Sequence, residues 1–138
     1  VILMDAPVPD SLEAAVCQHF GVDAAEAPAL VAEFDRVVCR GGDWLFRQDD
    51  VGDSLYLLVR GRLQVWIGHG DAARLVADVE PGEMLGEIAL LAGGTRSAGV
   101  RAVRDSLLLR LDTTAFDRIA ARHPAWLRRM AGRIAVRL

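Results

Sequence analysis

Gly82-Glu83-Met84-Leu85-Gly86-Glu87-Ile88-Ala89-Leu90-Leu91-Ala92-Gly93-Gly94-Thr95-Arg96-Ser97-Ala98 breaks an otherwise alternating sequence. It begins like a strand, becomes one apolar helical turn, crosses two glycines and ends in a strand of small residues. So short a helix cannot stabilise itself in water and must be held by its surroundings. Its first turn presents free backbone N–H groups. Around Glu87 to Ala89, through Ile88, these groups and the positive helix start suit an anion. Gly86 allows close backbone approach to a ligand. Arg96 can fork two N–H groups onto phosphate oxygens, Ser97 adds a hydroxyl donor, and Ala98 keeps the floor shallow. Glu87 is itself an anion, so its place beside a phosphate makes sense as an acceptor for a neighbouring sugar hydroxyl.

On either side of this segment the chain reads as short strands. Val37 and Cys39 lead to a turn at Gly41-Gly42 and then to Trp44-Leu45-Phe46. After Gly52, Leu55, Leu57 and Val59 alternate with Tyr56 and Leu58. Gly61 interrupts the run, making Arg60-Gly61-Arg62 a hairpin candidate, and Leu63, Val65 and Ile67 resume it. Leu75, Ala77 and Val79 form another run, closed by Pro81-Gly82. Two more, Val100 to Val103 and Leu107 to Leu111, meet at Asp105-Ser106. Strands of this spacing, cut by glycine-bearing turns, predict a mainly β protein, a jelly-roll-like double-stranded β-helix or β-roll.

Helical signals flank that roll. Asp10 and Glu13 resemble a capping box for a helix ending at Phe20-Gly21, and Asp23 and Glu26 repeat the start signal for a segment reaching Phe34. Pro28 limits the regularity of that segment. After Asp112 the period becomes helical, with Thr113 or Thr114 as cap for a helix through Arg122. Pro124 starts a last helix, whose Leu127, Met130, Ile134 and Leu138 share one stripe. The expected organisation is a helical segment over 1–34, a β-roll over 35–112 with the special segment at 82–98, and two helices over 113–138.

Composition narrows the function. With 138 residues there is room for one core. A net charge of −3 argues against broad binding to nucleic acid or anionic membranes, which needs clustered cations. All 16 cations are arginine, which removes Schiff-base chemistry and the lysine of a P-loop. Cys17 and Cys39 lack metal or redox spacing and read as reduced thiols of a cytoplasmic protein. His19, His69 and His123 are scattered, so no metal site is expected. No Gly-x-Ser-x-Gly elbow or other nucleophile stands beside a base, so no catalytic residue and no cofactor are assigned. No apolar run is long enough for membrane insertion. A chain opening on Val1 reads as a piece of something longer.

The run from Gly86 to Leu91, followed by Arg96-Ser97-Ala98, resembles the phosphate-binding cassette of cyclic-nucleotide-binding domains. That family includes the bacterial catabolite activator and the regulatory subunits of cyclic-AMP-dependent kinase. Asp50-Val51-Gly52-Asp53-Ser54-Leu55-Tyr56-Leu57-Leu58 with Gly61 resembles its glycine-punctuated strand signature, and the likeness runs from about residue 34 to the end. It implies that Glu87 binds the ribose 2′-hydroxyl, that Arg96 and Ser97 bind the cyclic phosphate, and that Val65 and Val76 line the pocket. It also implies that the last helix, near Arg133, reaches the base. The ligand implied is cyclic AMP, with cyclic GMP as the variant.

Three departures stand out: Thr95 replaces a proline before the arginine, Asp49 replaces a glycine, and Gly99 replaces a larger residue expected against the purine. Trp44 to Gln48 and the stretch after Ala115 further resemble sensor domains that precede bacterial patatin-like phospholipases; a helix-turn-helix regulator is the other context. Either way the effector domain lies elsewhere in the full-length chain, and the last-helix stripe fits a homodimer seam or packing on the roll. The alternative is a non-binding scaffold kept for dimerisation or docking.

Overall fold

The computed structural model describes residues 2–4, 13–14, 16–17 and 20–137, with the side chains of Ile2–Met4, Ile88, Met130, Ala131 and residues 133–137 outside that description. Strands β1 (Ile2–Met4), β2 (Asp35–Cys39), β3 (Trp44–Phe46), β4 (Ser54–Ile67), β5 (Arg74–Val79), β6 (Met84–Leu85) and β7 (Gly99–Asp112) carry the fold. All pairings between these strands are antiparallel, in the order β1-β2-β7-β4-β5, with β3 also on β7 and β6 on β4. Helices α1 (Ala27–Val31), α2 (Glu87–Ala92), α3 (Thr113–Arg122) and α4 (Pro124–Arg137) accompany them. The protein is the mainly β roll with flanking helices that the alternation predicts.

The nearly continuous apolar run of β4 follows from burial on both faces. Leu55 and Leu57 point into one cluster with Leu109, Leu111, Phe116, Ile119 and Trp126, between roll and helices. Tyr56 and Leu58, on the other parity, join Val37, Leu63, Val100, Ala102 and Leu108 inside the roll. The two-residue period thus separates two cores within one strand.

The expected hairpin at Arg60-Gly61-Arg62 is not one: β4 continues through it. Gly61 adopts φ 106°, and a Cβ there would stand 2.6 Å from the Ser106 Cα. The two apparent breaks, Gly61 and Asp105-Ser106, face each other, and the β4–β7 register shifts around Arg60 and Arg62. Buried Ser106 accepts from the Arg62 N–H and donates to the Arg104 carbonyl, satisfying backbone groups that the shifted ladder leaves over. The glycine serves a β-bulge that bends two long strands together.

Two helix starts also differ from expectation. Asp23 and Glu26 close a turn through a 2.9 Å backbone bond, and only Ala27–Val31 is helical, since Pro28 belongs in a first turn. The proposed cap at Asp10 lies outside the described residues, although Glu13, Ala14, Val16, Cys17 and Phe20 are helical. The α3 cap is Asp112, which accepts from the Ala115 N–H at 2.8 Å, while Thr113 donates to the Asp53 carbonyl. Of the last-helix stripe, Leu127 packs against the helical core cluster; the side chains of Met130 and Ile134, and Leu138, lie outside the described residues. Trp126 is 2% exposed and stacks on Phe20 at 4.4 Å.

Candidate functional site

The 82–98 segment folds as its sequence suggests as far as Gly93: β6, then Gly86 at φ 85°, then α2, then Gly93 at φ 65°; the closing strand of small residues is not formed, since Thr95 makes one isolated bridge and β7 begins only at Gly99. Positive φ explains both glycines. Gly86 has a second reason, because a Cβ there would meet the Arg96 guanidinium at 2.4 Å. The close approach that the glycine permits is therefore to Arg96.

Arg96 is held from its backbone outward. Its N–H donates to the Asp50 carbonyl at 2.7 Å, and its carbonyl accepts from the Asp49 N–H at 2.9 Å. Thr95 bridges Val51, so the turn without proline is fixed by the 49–52 loop. Asp49 takes φ 76°, as expected for the residue standing at a glycine position. The guanidinium donates from Nη1 to the Gly86 carbonyl at 3.0 Å and from Nη2 to the Ser54 carbonyl at 2.6 Å. The Phe46 ring lies 4.2 Å from its Cζ and the Tyr56 ring 5.9 Å.

Arg96 is only 3% exposed, and Glu87 only 4%. A surface ion pair would leave both in water, whereas these two are buried. Burial lowers the Arg96 pKa, with Tyr56 and Asp53 opposing the shift, but an arginine remains charged. Its Nε–H is buried without a hydrogen-bond partner among the described residues. Such an orphan donor on a buried cation carries a desolvation cost that an anion would relieve.

Both side chains line one hollow. Gly86, Ala89, Ser97, Ala98 and Val65 share its wall, so most of the sequence-selected residues converge there. Ile88 lies in α2, but its side chain and that of Arg133 are outside the described residues. Val76 is not brought in: it is 43% exposed on β5 and absent from the described lining, while its neighbour Ala77 pairs with Val65. Phe46, Leu85 and Val100 were not singled out by sequence and complete the wall. Ser54 was missed too, although a polar residue opening an apolar buried strand is a usable signal.

Gly99 is also corrected. Adjacent strand residues face opposite ways, so Ala98 and Val100 line this hollow and Gly99 lies against Trp44 on the other side.

A buried arginine with a spare donor, a buried glutamate and a roll that presents them match a known pattern. The cyclic nucleotide-binding domain model matches residues 36–123. The chain belongs to that family. It is 34% identical over 119 residues to the Cyclic AMP receptor protein of Thermus thermophilus, covering 86% of this chain and 55% of that protein. The crystal structure of the Thermus thermophilus catabolite activator protein superposes with a TM-score of 0.79 at 33% identity, over 85% of this chain and 55% of that one. Lysophospholipase NTE1 of Mycosarcoma maydis is 29% identical over 102 residues, 71% of this chain but 5% of its own length. The chain thus spans about half, or far less, of these relatives. The likeness to phospholipase-associated sensor domains is supported by the NTE relatives. Among the described residues no helix is long and apolar enough to cross a membrane.

Proposed function

We propose that this chain is the regulatory sensor of a larger cytoplasmic protein and that it binds cyclic AMP in the Arg96–Glu87 hollow. The observation that carries the reading is the buried guanidinium, its Nε–H without a partner among the described residues, beside a buried carboxylate. Arg96 and Ser97 hold the cyclic phosphate, and Glu87 accepts from the ribose 2′-hydroxyl. Cyclic AMP is preferred over cyclic GMP because of the Cyclic AMP receptor protein among its relatives.

The fold offers a route for the signal. Leu90 of α2 packs in the same cluster as Phe116, Ile119 and Trp126 of the trailing helices. A ligand that draws on the Glu87 end of α2 therefore biases the packing of α3 and α4 and, through them, an effector domain outside this chain. The chain itself catalyses nothing in this reading. Pairing of two copies through the last-helix stripe is the matching assembly.

Thermal melts with cyclic AMP, cyclic GMP and plain AMP test the proposal. A ligand at a hundred times its dissociation constant stabilises by about 2.7 kcal/mol, a shift of several degrees for a domain of this size. The expected result is a shift with cyclic AMP, smaller with cyclic GMP, absent with AMP and lost in Arg96→Ala. A flat response to all three nucleotides would favour the scaffold instead.

A further inference from the structure

On the other face of β7 lies a second hollow, comparable in extent to the first. Trp44, Trp66, Arg47, Gln48, His69 and Gly99 are among its walls. Its origin is the strand ladder. The row Val65–Val100–Phe46 faces the first hollow, and the next row pairs Trp66 with Gly99. A Cβ at Gly99 would stand 2.8 Å from the Trp44 ring, so this row holds two indoles and no β7 side chain.

The polar part of this wall is made of donors. The Arg47 guanidinium lies 5.0 Å from the Trp44 ring centroid. Gln48 accepts from the Gly68 N–H through Oε1 at 2.7 Å, which leaves its NH₂ group to offer. The Trp66 indole N–H is buried without a partner among the described residues. The nearby carboxylate of Asp49 is engaged by His69 at 3.0 Å. Two aromatic faces favour a flat ring, whereas a cation and spare N–H groups favour an anionic acceptor. One small molecule meets both demands.

We propose that this hollow binds a small planar aromatic carboxylate, its ring against Trp44 and Trp66 and its carboxylate toward Arg47 and Gln48. The site is separate from the nucleotide hollow and does not depend on that reading.

The test is a titration of the whole chain with 2-naphthoate and, separately, its neutral carboxamide, followed by calorimetry and by the tryptophan indole N–H signals in nitrogen-edited NMR. The carboxylate should shift the Trp44 and Trp66 signals saturably, leave Trp126 in place and bind at least about tenfold tighter than the amide. Exposed Arg47→Ala, which leaves the core intact, should weaken it about tenfold. Trp66→Phe should weaken it with the ring retained, and Arg96→Ala should leave it unchanged. Absence of a saturable shift at millimolar concentration, equal affinity for the amide, or loss of binding in Arg96→Ala would each overturn the assignment.

Discussion

The two hollows share strand β7, differ by one residue in the face they use, and are built in opposite ways. The first buries its charges: Arg96 and Glu87 are sealed in the protein, with backbone carbonyls clamping the guanidinium. The second buries aromatic surface and leaves its cations outside, with Arg47 and Arg101 both exposed and lying against Trp44. Each arrangement suits a different ligand. A buried, fixed cation has already lost its water and suits a compact, singly charged anion such as a cyclic phosphodiester. An exposed cation on an indole suits a flat ligand with a weaker charge demand.

The sharpest way to test that contrast is Glu87→Gln, which keeps the shape of the first hollow and removes its carboxylate. Hydrogen bonds to charged groups are worth about 1.5–3 kcal/mol, so cyclic AMP should bind roughly tenfold to a hundredfold more weakly. Calorimetry should show almost no change for the 2′-deoxy analogue. An equal loss for both nucleotides would detach Glu87 from the ribose.

Gly99→Val acts from the other side. The added side chain must displace Trp44, and overpacking of this kind costs about 1–3 kcal/mol in a denaturant melt. Cyclic-nucleotide affinity, corrected for folding, should change less than about twofold, because the new side chain faces away from the first hollow. A large loss of nucleotide affinity would merge the two hollows into one site.

Smallest is the effect of Glu33→Gln, remote from both. Glu33 receives Arg118 at 2.8 Å and Arg122 at 3.2 Å, joining the segment before β2 to α3. The Arg118 hydrogen bond chiefly holds its pKa below the usual carboxylate value, against some desolvation. A lowered folded pKa gives stability that is present above the unfolded value and lost as pH falls through the folded one. The variant should therefore be less stable by no more than about 1 kcal/mol near neutrality. Its melting curve should converge with the parent's as pH drops below the glutamate range.

How much of this was legible beforehand depended on whether neighbours in sequence were enough. The roll was legible because period-two alternation is local, and the 82–98 segment because it breaks that alternation. Gly61 was misread because a positive φ serves a hairpin or a bulge equally well, and only the distant Ser106 decides. The α3 cap was missed by one or two residues because Asp112, Thr113 and Thr114 are all good caps. The face of Gly99 could have been read from its parity with Ala98 and Val100. The second hollow could not, since Trp44, Trp66 and Gly99 meet only through strand pairing.

The most direct test of the central claim is a calorimetric titration of the chain with cyclic AMP, repeated on Arg96→Ala. A one-to-one complex is expected, weakened in the variant by about 2–5 kcal/mol, well over tenfold. Equal affinity for both proteins, or no binding heat with the parent at any temperature tried, would contradict it.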